Sequence, residues 1–290
     1  MDEEKEFLKK YSDKEYYKPS VTNDVLIFTT EDIKDDNIRK VPRKGLQVLL
    51  IKRDQQPDKD MWCIPGGFIR KDESLEEGAA RKLKEKTGIE DMYLEQLYTF
   101  GDVDRDKRTR VITISNMALV AKEKIKTIEV DSLKEKKWFW VEKHLVESKN
   151  DLHIENKYKL NLKSEDDEVE IAYDVVEKIE KGILRKKSIT YILEEQCKDK
   201  LAFDHYKILD YGIDRLRNKV EYTPIAFNLL PKLFTVIELQ YVYEAIMGRK
   251  ILNFRRKMND FIIETDEKIE GKPHRPAKVF KFNEEFKHDF

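Results

Sequence analysis

The sequence predicts a mixed α/β (α+β) fold, followed by a smaller basic helical unit that closes in a hairpin. Three observations carry that prediction. Short runs of β-branched and aliphatic residues, bounded by turn residues, recur through the first two thirds of the chain. One capped helix, Ser74–Gly88, interrupts them. The last third turns to helical periodicity, then to a short basic helix and a strand–turn–strand ending. At 290 residues the chain suits one large domain or two ordinary ones.

Composition narrows the classes. Hydrophobic residues reach 40%, enough to build a core and too many for a wholly disordered chain. Lys and Arg number 57 against 58 Asp and Glu, for a net charge of -1. That balance excludes a uniformly basic nucleic-acid coat but permits a locally basic face. No apolar run approaches the roughly 18 residues of a membrane span, so no membrane partner is expected. The N-terminus, MDEEKEFLKKYSDKEYY, has no apolar signal-peptide centre, and Cys63 and Cys197 provide no disulfide framework. A cytoplasmic protein is the expectation.

The elements follow in order. Residues 1–20 read as a charged N-terminal arm, either a short helix or a loose segment. VTNDVLIFTT is a strand, and a charged loop follows near Asp35–Lys44. GLQVLLIKR is a second strand, QQPDKD a turn, and MWCIPGGFI a short strand ending in a glycine pair. Ser74 is the N-cap of the helix that follows, with Glu77 at the capping-box position and Gly88 as its stop. LEQLYTF, VITISNMALVA and WFWVE read as strands, with the charged turn DVDRDKRTR before the second of them. KYKLNLKSEDDEVEIAYDVVE suggests a hairpin, and GILRKKSITYILEEQC is either strand or helix. From Leu201 the pattern is helical, with Ile208, Leu209, Ile213 and Leu216 on one stripe. Pro224 and Pro231 bracket IAFNLL. FTVIELQYVYEAIMG is a helix capped by Thr235 and Glu238 and stopped at Gly248. NFRRKMNDFII is a short second helix, and the chain closes on a strand, a basic turn and a strand.

The segment GFIRKDESLEEGAARKLKEKTGI, from Gly67 to Ile89, resembles the Nudix box, G-x5-E-x7-R-E-U-x-E-E-x-G-U with U aliphatic. Gly67, Glu73, Arg81, Leu83, Glu85, Gly88 and Ile89 match at the right spacing, and WCIPGG matches the usual entry to that loop. The resemblance implies a Nudix fold. In active relatives three glutamates at i, i+3 and i+4 share one helix face and hold the divalent cations that activate water. The corresponding residues here are Lys82, Glu85 and Lys86. A protonated lysine does not ligate Mg²⁺ and repels it at short range. The bland reading of these lysines is a solvated face with i,i+3 or i,i+4 ion pairs; the functional one is that they meet an anionic ligand in place of the metal. Either way no catalytic residues, no metal site and no cofactor are expected. Mg enters only if hydrolysis survives, with Glu85 as the remaining ligand. Glu73 and Arg81 are expected to pair architecturally. The segment FGDVDRDKRTRVITI resembles the R-D-x-R stretch of ADP-ribose-type Nudix proteins. That implies an effector site at Arg105, Asp106, Arg108 and Arg110, with Arg53 as a further pocket residue.

The remainder is too long for a Nudix domain alone. LAFDH, RLRNKVEYTPIAFNLLP, FTVIELQYVYEAIMGR, NFRRKM and RPAKVFKF resemble Nudix-related transcriptional regulators of the NrtR type. A helix, a tight connection, a short basic helix and a basic hairpin make a C-terminal winged helix-turn-helix domain. From Gly248 to Lys281 ten basic residues face five acidic ones. Phe254, Met258, Phe261 and Ile262 form the expected buried side of the recognition helix. Asn253, Arg255, Arg256 and Lys257 lie near its exposed N-terminal part, and Lys272 and Arg275 flank the wing tip. The expected division is an arm at 1–20, a Nudix-like sensor at 21–200 with an insertion at about 143–200, a linker helix at 201–222 and a winged helix at 223–290. The turn before NFRRKM also looks shorter than the family pattern. Asp204 and His205 read as a capping or interdomain contact rather than a catalytic pair. The resemblance implies a ligand-responsive transcriptional regulator. Its effector would be ADP-ribose or a related NAD or sugar metabolite, its other partner a duplex operator, and its assembly a homodimer. The alternative is a hydrolase of nucleoside diphosphate derivatives such as ADP-ribose.

Overall fold

A computed structural model describes residues 3–12, 14, 16–34, 41–88, 92–124, 135–267 and 278–286. Lys272, Arg275, Ile89 and most of the charged loop near Asp35–Lys44 lie outside the described residues. The N-terminal arm starts as a helix, α1 (Glu3–Lys10), with acids in its first turn and lysines in its last, as the helix dipole favours.

One mixed sheet organises the protein. Its strands are β1 (Ser20–Asp32), β2 (Lys44–Lys52), β3 (Trp62–Cys63), β4 (Gly66–Phe68), β5 (Tyr93–Phe100), β6 (Val111–Leu119), β7 (Lys136–Asn150), β8 (His153–Ser164), β9 (Glu170–Glu180) and β10 (Lys187–Leu193). They run in the order β10-β9-β8-β7-β2-β1-β6-β5, with β3 paired to β2 and β4 to β1. β1 and β6 are parallel; β1 pairs antiparallel with β2. β1 is central, and Asn23–Thr30 are all buried. Its side chains alternate between two cores. Val25 and Ile27 meet Ala79 and Leu83 of α2 (Leu75–Thr87). Leu26 and Phe28 point the other way, into a larger core with Ile208, Ile213 and Leu216 of α3 (His205–Val220) and Leu239 and Val242 of α4 (Val236–Met247). A strand covered on both faces needs the unbroken apolar run VLIF.

The structure extends one strand, resolves one ambiguous segment and shortens two helices; of NFRRKMNDFII only Phe254–Met258 is α-helical, so Phe261 lies in a 3-10 turn and Ile262 in a strand, not on the recognition helix. The strand begun by WFWVE runs on to Asn150, paired with β8 throughout apart from a register shift between Leu145 and Glu147. Alternation breaks at Lys143, an inward position that carries a charge. It is tolerated because Asp210 and Asp214 lie 2.6 and 2.8 Å from its Nζ. The ambiguous GILRKKSITYILEEQC contains a strand, β10, whose Ile189, Tyr191 and Leu193 face inward at period two. The linker helix begins at His205, not Leu201. Leu201 makes a parallel bridge with Trp62, and Phe203 has a φ of 53°, which no helix accommodates. Residues 143–200 form the outer half of β7 together with β8, β9 and β10.

The C-terminal part continues from α3 through a 3-10 turn (Pro224–Leu229) to α4, then α5 (Phe254–Met258), a second 3-10 turn (Asn259–Phe261) and the hairpin β11 (Ile262–Thr265) and β12 (Val279–Phe282). Thr235 and Glu238 cap α4 reciprocally, and Gly248 ends it in the left-handed region, as the sequence predicts. Phe234 exchanges two backbone hydrogen bonds with Phe280, an isolated antiparallel bridge that ties the start of α4 to the wing. This order of helices and wing is a winged helix-turn-helix. No helix among the described residues is long and apolar enough to cross a membrane.

Candidate functional site

The box sits where β4 turns into α2. β4 is held flush against β1. A Cβ on Gly66 would lie 2.0 Å from Asp24 Oδ1 and 2.8 Å from Asn23 O, so only glycine fits. Asn23 Nδ2 donates to Leu75 O at 2.7 Å and ties the first turn of α2 to the sheet. Ser74 and Glu77 form a complete capping box, and Gly88 closes the helix at φ 73°.

Arg81 organises the polar face of this helix. It donates to both oxygens of Glu73, at 2.8 and 2.5 Å, and to Glu85 at 3.0 Å. Hydrogen bonding from Arg81 holds the Glu73 pKa at about 2, below its ordinary 4.5. Lys82 reaches the other oxygen of Glu85 at 3.0 Å. Partial burial alone would raise the Glu85 pKa, but Lys82 and Arg81 bring it below the ordinary value. Lys82 therefore makes the i,i+3 ion pair of the bland reading. Lys86, one turn on, lines the adjoining cleft. The donor set does not fit a divalent cation. Two of the three family ligands are ammonium groups, and the third carboxylate already answers two cations at hydrogen-bonding distance.

The cleft beside the box encloses about 200 Å³ between β1, the 53–55 loop, the glycine pair and the 105–108 turn. Of the expected effector residues it gathers Arg53, Arg105, Asp106 and Arg108. Arg110 is not part of its lining; its Nη1 is buried and makes no hydrogen bond among the described residues. Arg105 differs from the expectation of a ligand-facing guanidinium. Its side chain is 4% exposed, and it donates from Nε and Nη2 to the two oxygens of Asp204 at 3.1 and 2.8 Å. It forms part of the wall, not an open phosphate donor. Arg108 is braced by Asp106 at 2.7 and 3.0 Å, yet 45% of its side chain stays exposed, and its guanidinium lies 5.7 Å from the Phe68 ring. Arg53 donates to Pro57 O and Gln55 O and stacks 4.6 Å from the centre of Phe203.

Asp204 and His205 behave as an interdomain contact. Asp204 stands at the N-terminus of α3 without capping it, its carboxylate being committed to Arg105. His205 Nδ1 accepts from the Ile64 N–H at 2.9 Å, and its Nε2 faces Asp24 at 4.0 Å. Burial lowers the His205 pKa, partly opposed by Asp24. Phe203, which the sequence reading did not single out, proves central: it takes the cation–π contacts of both Arg53 and Arg108. Its signal was the FDH triplet before a helix, but nothing local connects Phe203 to residues 95 to 150 positions earlier.

The second candidate interface lies on α5. Phe254 and Met258 are buried at i and i+4, so Arg255, Arg256 and Lys257 point outward, and Asn253 is also exposed. Asn253 enters the helix at φ 56° and does not cap it. Phe261 and Ile262 are half-buried and pack against the core, Phe261 beside Phe227.

Comparison with known proteins agrees with both halves. Residues 38–160 match the NUDIX domain family, and residues 226–282 match the NrtR DNA-binding winged helix domain. The "ADPR responsive transcriptional repressor NtrR" of Acinetobacter baylyi is 32% identical over 286 residues, covering 96% of this chain and 88% of that protein. A MutT/nudix family protein from Enterococcus faecalis has a similar structure, with a TM-score of 0.66, 29% identity and coverage of 97% of this chain and 93% of that one. Shewanella oneidensis NrtR complexed with a 27mer DNA gives 0.59 and 28%, covering 91% and 93%. A Nudix sheet whose box carries lysine at two of its three metal-ligand positions, an NrtR winged helix behind it and a relative alike over nearly the whole length lead to one conclusion: the chain belongs to the NrtR family of Nudix-related transcriptional regulators.

Proposed function

We propose that this protein is a DNA-binding repressor whose Nudix domain senses ADP-ribose without hydrolysing it. The observation that carries the reading is the pairing of Lys82 and Arg81 with Glu85, beside a cleft that still presents Arg53 and Arg108. The Acinetobacter relative is described as responsive to ADPR, and the Shewanella relative was crystallised with DNA. Residues 21–200 serve as sensor, 201–222 as linker and 223–290 as reader. In the cleft a diphosphate lies between the Arg53 and Arg108 guanidiniums, with Lys86 on the helix side. Arg108 exchanges part of its Asp106 pairing for the ligand, and Phe68 and Phe203 hold the two guanidiniums in place. Neither binding nor release requires Mg²⁺. Asn253, Arg255, Arg256 and Lys257 enter the major groove, with Lys272 and Arg275 on the flanking backbone. Two copies read two half-sites, and the ligand shifts the spacing of their reading heads.

The test is fluorescence anisotropy on duplex DNA from upstream of the protein's own gene. Strongly salt-dependent, sequence-specific binding is expected, weakened about tenfold or more by ADP-ribose, equally in EDTA and in Mg²⁺. No specific binding at low salt, with or without ligand, contradicts the reading. So does robust Mg²⁺-dependent cleavage of ADP-ribose that Glu85→Gln abolishes.

A further inference from the structure

A second, larger cavity of about 580 Å³ lies behind the arginine cleft. Arg105 and Phe203 line both, and Asp204, the partner of Arg105, lines the larger one. Its floor is aromatic. Tyr206, from the first turn of α3, lies 5.4 Å from the Tyr173 ring of β9 and 4.9 Å from the Tyr191 ring of β10. Two of these rings are fixed by their hydroxyls: Tyr173 Oη accepts from the Leu201 N–H at 3.0 Å, and Tyr191 Oη donates to Asp210 at 2.9 Å. The Tyr206 hydroxyl makes no hydrogen bond among the described residues.

The rim is polar yet electrically balanced. Lys107 is paired with Asp58 at 2.7 Å, Lys207 with Asp102 at 2.6 Å, and Arg105 with Asp204 at 2.8 Å. Among the described residues the rim's Lys200 and Asp104 make no ion pair, and they cancel one another in charge. A phosphate would find no surplus positive charge here, in contrast to the arginine cleft. A planar ring would find the half-buried Tyr191 and Tyr206, and vicinal hydroxyls would find one carboxylate acceptor and one ammonium donor. The volume falls within the usual range for a small-molecule site.

We infer that this cavity is a second ligand site, for an uncharged nucleoside. The base packs against the half-buried Tyr191 and Tyr206, and the sugar hydroxyls meet Asp104 and Lys200. The two sites share only Arg105 and Phe203 in their linings, so the nucleoside and ADP-ribose bind side by side.

Isothermal titration of the full chain with adenosine tests this. Adenosine binds the wild-type protein, and saturating ADP-ribose does not displace it. Tyr206→Ala weakens adenosine about tenfold or more, while Tyr206→Phe restores binding. Asp104→Asn, on a surface loop and without consequence for folding, also weakens it several-fold. Arg53→Ala leaves it unchanged. Three results would overturn the inference: no adenosine binding at millimolar concentration, displacement by ADP-ribose, or equal loss in Arg53→Ala and Tyr206→Ala. None of these bears on whether ADP-ribose releases DNA, so the two readings fail separately.

Discussion

At the scale of single residues, Glu85 accepts from Arg81 and from Lys82, each at 3.0 Å. A carboxylate so engaged is a structural anion. Its neighbour Glu73 is bound still more tightly, and the pH dependence follows from its direction of shift. The folded pKa of about 2 lies below the ordinary 4.5, so the Glu73–Arg81 pair stabilises fully above about pH 4.5 and that contribution is lost as pH falls toward 2. Melting temperature should therefore drop more steeply between pH 4.5 and 2 in the wild-type protein than in Glu73→Gln. Parallel curves would refute the linkage. The box residues were legible because their roles depend on spacing within one helix. The wall of the cleft was not. Arg105 finds Asp204 and Arg53 finds Phe203 only after β2, the 105–108 turn and the start of α3 converge. No periodicity connects them.

Elements were legible where local chemistry fixes them. Both capping boxes and both glycine stops stand as read, since each involves residues within a few positions. β7 exceeded its reading because Lys143 faces inward, where the distant α3 supplies its ion-pair partners. α3 also explains Gly212, which the helical pattern gives no reason to expect. A Cβ there would stand 2.1 Å from Leu26 Cδ2, on the wholly buried central strand. Gly212→Ala is expected to cost about 1–3 kcal/mol by overpacking, outweighing its gain in helix propensity; chemical denaturation measures this. On α5 the buried Phe254 and Met258 aim the basic residues outward. Arg256→Ala should leave the melting temperature within a degree or so and reduce the magnitude of the slope of log K against log salt by about 1. An unchanged slope would place Arg256 away from phosphate.

For the whole molecule, the ion pair between β7 and α3 joins the sheet to the C-terminal part. Lys143 and Asp210 are almost wholly buried, and Arg217 of α3 donates to Lys143 O at 2.7 Å and to Ile246 O, near the end of α4, at 3.0 Å. Burial raises the Asp210 pKa against the pull of Lys143. Lys143→Met strands a buried carboxylate, and a loss of about 3–5 kcal/mol is expected by urea unfolding. Adding Asp210→Asn should recover much of that loss; additive losses would show that the two act separately. The order of the two halves was readable from motifs, each of which carries its own signature. How they meet was not, because the contacts are between side chains some 70 positions apart.

That meeting limits how the two halves can be exchanged. A single apolar core runs from Leu26 and Phe28 of β1 through α3 and α4 to Phe280 of the wing. The winged helix is not a detachable plug hung on a tether; its inner face is part of the sensor's own interior. A chimaera that kept this reader and exchanged the sensor would have to bring a matching sheet surface with it, or expose that face to water.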